Sequence, residues 1–259
     1  MSAPGQHLIR NRLLSLLPES DYAFMRHHLE LVDMPRQFVL AEPNRRIEHV
    51  YFPESGIGSL LAISPGGRMA EAGLFGFEGC SPSSLALGVD RSVHRVVMQV
   101  SGQGYRISAD ALTAAQEASR AVQTLLTRYC HVLSTQISFT ALSNAIHQID
   151  ERLARWLLMC HDRVEGDSIA ITHEFIAVML AVRRPSVTTA LHVLEGNGYI
   201  RSERGFVTIR NRQQLEEFGQ DTYGRPEKEY ERLLGPLRPT AKAAVERSPM
   251  RGVPAMMGH

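Results

Sequence analysis

The sequence predicts a mixed α+β chain. A β-rich N-terminal part of jelly-roll-like sandwich or barrel type leads into one long helix, then into two short helices and a hairpin. Three observations carry this. Between about residues 36 and 108 short apolar runs recur between Gly/Pro/Asn/Asp clusters, the mark of strands in a sandwich or barrel. Residues 109–141 hold neither Gly nor Pro, so nothing there forces a helix to stop. Residues 169–209 pass from helical spacing to a hairpin signature.

The chain has 259 residues, 44% of them hydrophobic and 21% charged. That supports one or two packed cores and excludes a disordered, collagenous or rod-like chain. No run of about 18 apolar residues is present, so no membrane span is expected. The opening MSAPGQHLIRNRLLSLLPES lacks the basic-then-apolar plan of a secretion signal. A cytoplasmic protein with reduced thiols is expected. Cys80, Cys130 and Cys160 are too few and too scattered for a disulfide framework or a Cys-x-x-Cys metal site. Net charge is only +1, so any basic face must be local. Gly-x-x-x-x-Gly-Lys, Gly-x-Ser-x-Gly and His-Glu-x-x-His do not occur, and Gly56-Ile57-Gly58 lacks the third glycine of a dinucleotide site. The expectation is no enzyme, no metal and no cofactor.

The elements follow in order. Residues 8–31 read as short helices, with Leu13, Leu16 and Leu17 on one face and a break at Pro18-Glu19-Ser20-Asp21. The runs QFVLA, HVYF, GIGSLLAI, RMAEAGLF, SVHRVVMQV and GYRIS read as strands, with Ser64-Pro65-Gly66-Gly67 the best hairpin turn. In the long helix one apolar stripe is Leu112, Ala115, Val122, Leu126, Tyr129 and Leu133, with Ser119 its weak member. A second stripe is Ala118, Leu125, Val132 and Phe139. Two stripes need two partners: the β-rich part, and a second copy of the chain. The seam is placed on Leu112, Val122, Leu126, Tyr129 and Leu133. A break is read at Ser143-Asn144, after which Ile146, Ile149, Leu153, Trp156 and Leu157 resume a helix to about Asp162.

Thr172 is a good N-cap, with Glu174 in the first turn and Phe175, Ile176, Met179 and Leu180 as buried stripe. Pro185 stops that helix and suits the first turn of the next. Val187, Ala190, Leu191 and Leu194 face inward at i, i+3, i+4, i+7. The outer face carries Arg184, Pro185, Ser186, Thr188, Thr189 and His192 and has no acid. Gly196-Asn197-Gly198 ends the helix. Tyr199-Ile200-Arg201 and Phe206 to Ile209 form a hairpin around Ser202-Glu203-Arg204-Gly205.

This is the plan of a winged helix-turn-helix. A helix 10–12 Å wide fits the major groove of B-DNA. Arg183 and Arg184 stand at its leading end, and Arg184 can offer two parallel donors to guanine O6 and N7. Ser186, Thr188, Thr189 and His192 can meet phosphates or base edges. Arg201 and Arg204 suit the backbone beside the wing. A winged part that binds protein rather than DNA, in a small-molecule sensor or interaction module, is the competing reading. Large exposed apolar residues on the outer face would favour it.

The stretch ITHEFIAVMLAVRRPSVTTALHVLEGNGYI resembles the helix-turn-helix of the Crp/Fnr superfamily of bacterial transcription regulators, and DERLARWLLMCHDRV resembles the helix before it. The resemblance spans roughly residues 8–215. It implies base-reading places at Arg184, Pro185 and Thr189 and a phosphate contact at Ser186. The family's usual acidic base reader is replaced by Pro185 and its second arginine by Thr189, so only the arginine–guanine contact has its side chain in place here. It implies double-stranded DNA, a second copy of the chain and RNA polymerase as partners. It also implies an effector pocket in the β-rich part, where Glu78, Gly79, Arg91 and Ser92 echo a ribose-and-phosphate clamp. A carboxylate accepts from ribose hydroxyls and a guanidinium grips a phosphate. The surroundings depart from that pattern. Glu78 precedes Gly79-Cys80, the segment to Arg91 is long, and Asp90 opposes an anion. Regulation independent of cyclic AMP, with an unidentified effector, is therefore expected. An iron–sulfur cluster needs four thiolates, and His49 and His94 read as solvated or core residues rather than haem ligands.

The expected domains are 1–108 (sensor), 109–143 (dimerisation helix and hinge), 144–218 (winged helix-turn-helix) and 219–259 (tail). In the tail residues 223–234 can form one short helix, and 235–259 reads as disordered.

Overall fold

The computed structural model describes residues 3–219 and 222–237. After a single 3-10 turn come α1 (Arg12–Leu16) and α2 (Glu19–Arg26). Asn11 caps α1 by accepting from the Leu14 amide at 3.2 Å. Seven strands follow: β1 (Glu30–Met34), β2 (Val39–Ala41), β3 (His49–Pro53), β4 (Ile57–Ile63), β5 (Met69–Phe75), β6 (Arg95–Val100) and β7 (Gly102–Ser108). They make two antiparallel sheets, ordered β1-β7-β3 and β2-β6-β4-β5. The six apolar runs each hold one strand. β1 is the addition. It lies at an edge, has only Met34 fully buried and leaves Leu31 half exposed, so it carries no alternation to read. Gly67 takes φ +77° in the turn between β4 and β5, a conformation open to glycine at little cost.

Phe52 and Ile107 of one sheet meet Leu60, Phe75, Val96 and Met98 of the other in a shared core. The four-stranded sheet is buried on its second face as well. There Ile57, Leu61, Leu74 and Val97 pack with Trp156, Ile176 and Met179 of the C-terminal part. Burial on both faces is why β4 and β6 are mostly apolar, with Ser59 and Gln99 as buried polar residues among them.

The single long helix is corrected to two. α3 (Ala109–Ala118) and α4 (Arg120–Ile146) are divided at Ser119, whose backbone is extended at φ −133°, ψ 115°. The Ser119 hydroxyl accepts from the Val122 amide at 3.3 Å and donates to Asp21 at 2.7 Å. A serine that caps the next turn and holds an acid on α2 competes successfully with helix continuation. At the other end α4 runs through Ser143-Asn144, where the sequence predicts a break.

The expected seam is corrected too. Leu112, Val122, Leu126, Tyr129 and Leu133 are all buried in the chain's own core, at 0–4% exposure. They leave no surface for a second copy. Apolar surface on α4 remains at Leu142 and Ile146, with Leu125 and Phe139 partly covered.

The chain continues through α5 (Ile149–His161), β8 (Ser168–Ala170), α6 (His173–Met179), α7 (Arg184–Gly196), β9 (Ile200–Glu203), β10 (Phe206–Ile209), α8 (Arg212–Phe218) and α9 (Arg225–Leu234). β8 adds a third strand to the hairpin, in the order β8-β10-β9. α9 runs antiparallel along α4, with Thr222 beside His147 and Glu229 3.0 Å from His131. Its Tyr230 and Leu234 enter the N-terminal core. The expectation of disorder over 235–259 falls, from residue 238 on, outside the described residues. No helix among the described residues is long and apolar enough to cross a membrane.

Candidate nucleic-acid interface

α6, the turn and α7 form from the signals in the sequence. The Thr172 hydroxyl accepts from the Phe175 amide and starts α6. The turn passes through Ala181 at φ +52°, where a residue with a Cβ pays about 1–2 kcal/mol. Arg183 is the N-cap of α7, and Pro185 sits in its first turn. Val187, Ala190, Leu191 and Leu194 are buried against α5 and α6. That leaves Arg183, Arg184, Pro185, Thr189 and His192 exposed, with Ser186 and Thr188 half-buried.

The hydroxyls are anchored locally. Thr188 donates to the Arg184 carbonyl at 3.3 Å and Thr189 to the Pro185 carbonyl at 3.2 Å. His173 at the start of α6 lies 3.3 Å from the Thr188 hydroxyl. α7 itself offers no acid on this face, but α6 does. Glu174 approaches the Arg184 guanidinium at 3.1 Å, with both side chains largely in solvent. The backbone at the start of α6, with Arg184 adding to it, holds the Glu174 carboxyl below its ordinary value. Sequence spacing along α7 could not show this pair, because its members come from different helices. It is weak enough to open for a phosphate.

At the wing, Gly205 takes φ +83° at the tip of the β9–β10 hairpin. Arg201 pairs with Glu203 at 2.8 Å. Arg183 and Arg204 join no ion pair among the described residues. Exposed apolar side chains were not expected here, yet Val193 on α7 and Phe206 on β10 are exposed by 38% and 49%.

The effector-pocket residues divide. A cavity of about 270 Å³ lies between the β-rich part and α4, and Arg91 and Ser92 line it. Arg91 donates to the Asn44 carbonyl at 3.0 Å, and Ser92 to the His94 carbonyl at 2.9 Å. The hydroxyls of Ser81 and Ser84, also on the lining, are buried and have no hydrogen-bond partner among the described residues. Glu78 and Gly79 are elsewhere, which corrects their placement in the clamp. Glu78 is buried in an ion pair with Arg163, just beyond α5, at 2.7 Å, and accepts the Gly76 amide at 2.9 Å. At Gly79 a Cβ would come within 2.2 Å of the Tyr129 hydroxyl, so glycine is there to admit that ring. The three cysteines are all buried, and burial pushes the Cys80 thiol up, away from reactivity. Sequence reasoning missed Arg163, whose only signal was a charge at the end of an apolar helix.

Residues 151–218 match the Crp-like helix-turn-helix domain. No curated protein matches the chain in sequence. Among solved structures the chain is similar to a putative transcriptional regulator of the Crp/Fnr family from Eubacterium rectale. Identity is 17%, coverage is 81% of this chain and 98% of that one, and the TM-score is 0.62. FixK2 from Bradyrhizobium japonicum gives 18% identity, 73% and 96% coverage and a TM-score of 0.61. The c-di-GMP responsive global regulator CLP of Xanthomonas campestris gives 15% identity, 74% and 99% coverage and a TM-score of 0.61. The class is thus a β-rich N-terminal fold joined to a helix-turn-helix. The chain carries a Crp-like helix-turn-helix domain on the fold of the Crp/Fnr transcription regulators.

Proposed function

We propose that the chain is a cytoplasmic, homodimeric, sequence-specific DNA-binding regulator that reads an inverted repeat and needs no cyclic AMP. The observation that carries this is the leading end of α7. Arg183, Arg184 and Thr189 stand exposed there on a helix held by its own buried stripe, with Arg204 exposed at the wing. Two such helices on a two-fold dimer reach successive major grooves about 34 Å apart. The working division remains a sensor to residue 108, a helical connection to 143, the winged part to 218 and the tail beyond. Contact with RNA polymerase belongs to the same reading.

The second copy is assigned to the strip of α4 that the core leaves open, from Leu125 through Phe139 to Leu142 and Ile146. Independence of cyclic AMP is supported by Glu78, which is committed to Arg163 and absent from the cavity that holds Arg91. A ligand shifts a two-state balance only by its differential affinity for the two states. A pocket without a ribose acceptor gives cyclic AMP little of it. An effector of other chemistry would sit against Arg91, Ser92 and the two free serine hydroxyls.

Selection of bound duplexes by the purified protein tests the reading. The expected site has dyad symmetry and a guanine where Arg184 reads. Arg184→Ala should cost roughly 1–3 kcal/mol and relax preference at that base, while Arg204→Ala weakens all sequences alike and lowers the salt slope. Saturating cyclic AMP should change affinity less than about tenfold, or ~1.4 kcal/mol. Failure to select any duplex would favour the protein-binding reading, to which exposed Phe206 and Val193 lend their apolar surface.

A further inference from the structure

Glu71 of β5 lies where the four-stranded sheet meets the C-terminal part, and it is only 5% exposed. Its Oε1 accepts from the Trp156 indole N–H of α5 at 2.8 Å. Its Oε2 accepts from the Ser59 hydroxyl of β4 at 2.5 Å and from the Gln99 amide of β6. The Met179 thioether of α6 closes the group, 3.4 Å from Gln99 Nε2 and 3.8 Å from Ser59 Oγ. One carboxyl group therefore ties two strands to the helix that precedes the helix-turn-helix and packs beside its first helix.

All three donors are neutral. Glu71 joins no ion pair among the described residues. The facing groups are Ser59 from β4, Gln99 from β6 and Met179 from α6, with Trp156, Arg155 and the buried Cys160 thiol from α5. Arg155 acts only from a distance, since its guanidinium is spent on Thr222, Thr140 and Gln136. A buried carboxyl without a contacting cation favours its neutral form. Burial pushes Glu71 up to about 7, against the pull of its three hydrogen bonds. The site also has a place for the proton. Gln99 Oε1 is buried without a partner among the described residues, and a flip of that amide turns it into an acceptor for a Glu71 O–H.

We propose that Glu71 is a proton-operated latch between the four-stranded sheet and the winged part. With the proton on, the carboxylic acid seats Trp156 and α6 against the sheet; loss of the proton loosens that docking. Once undocked and solvated, the carboxyl returns toward its ordinary 4.5, against about 7 when docked. The docked form then holds the extra proton between those values. Docking is strongest below about 4.5, weakens about tenfold per pH unit up to about 7, and changes no further above it. The seating of α6, and with it the presentation of α7, thereby becomes sensitive to pH between about 4.5 and 7.

The chain has one tryptophan, and it is the one that touches Glu71. Trp156 emission between pH 5 and 8.5 therefore reads the latch directly. The expected result is a single transition with a midpoint between about 4.5 and 7, accompanied by a larger radius of gyration in X-ray scattering on the alkaline side. Glu71→Gln stands in for the neutral acid and should abolish both changes. Ser59→Ala removes a donor to the anion and should move the midpoint upward, which decides the matter even if Glu71→Gln does not fold. The same transition in parent and Glu71→Gln, a flat parent profile, or a midpoint that ignores Ser59→Ala would overturn the proposal.

Discussion

Replacing Arg163 with Met removes the partner of Glu78 while keeping most of the side chain's volume. Both groups are buried, at 5% and 2% exposure of their side chains, and 2.7 Å apart. Arg163 also donates to the Met159 carbonyl at 2.7 Å. Breaking such a pair from one side leaves a carboxylate in the interior and costs about 3–5 kcal/mol. For a chain of this size each kcal/mol moves the thermal midpoint by ~2–4 °C, so Arg163→Met should melt roughly 6–20 °C lower. Circular dichroism at neutral pH reads this. The double variant Glu78→Gln/Arg163→Met buries no charge and should recover a large part of the loss. By contrast Arg91→Ala should leave the midpoint unchanged, because Arg91 is exposed and its side chain donates to a carbonyl at the surface. An Arg163→Met variant within about 1 kcal/mol of the parent, or a double variant no better than the single, would refute the view that Glu78 holds the fold rather than a ligand.

The other predictions concern packing and backbone. Leu126→Glu with Leu133→Glu should unfold the chain rather than split a dimer, since each puts a charge into a core at several kcal/mol; loss of the cooperative melt distinguishes the two. Leu142→Glu with Ile146→Glu should halve the mass in solution and leave the melt nearly unchanged, as read by light scattering and calorimetry. Ala181→Gly should raise stability by a few tenths of a kcal/mol to about 1 kcal/mol, because relief of the left-handed strain outweighs the added freedom of the unfolded chain; a lower midpoint would contradict the geometry of the turn. Gly79→Ala should cost about 1–3 kcal/mol, because the new methyl meets the buried Tyr129 ring.

Where function depends on local chemistry, the sequence was enough. Thr172, Pro185 and the i, i+3, i+4, i+7 stripe of α7 determine two helices and the turn between them, because caps and prolines act within one turn of the backbone. The apolar runs determine six of the seven strands for the same reason. Ser119 was visible as a flaw in a stripe. Whether a serine continues a helix or caps a new one depended on Asp21, 98 residues away in sequence. The seam failed likewise: period shows that α4 has two apolar faces, but only the packed fold decides which one the sheets take. Glu78 beside Gly79 looked like a clamp until Tyr129 of α4 and Arg163, just beyond α5, arrived from later in the chain. Arg184 looked unpaired until α6 brought Glu174 beside it. Glu71 drew no attention in the sequence, as one acid in a strand. Its character comes from Trp156, Ser59 and Gln99 closing around it and taking its water away. Periodicity and capping are properties of neighbours along the chain, whereas burial, pairing and pKa are set by neighbours in space.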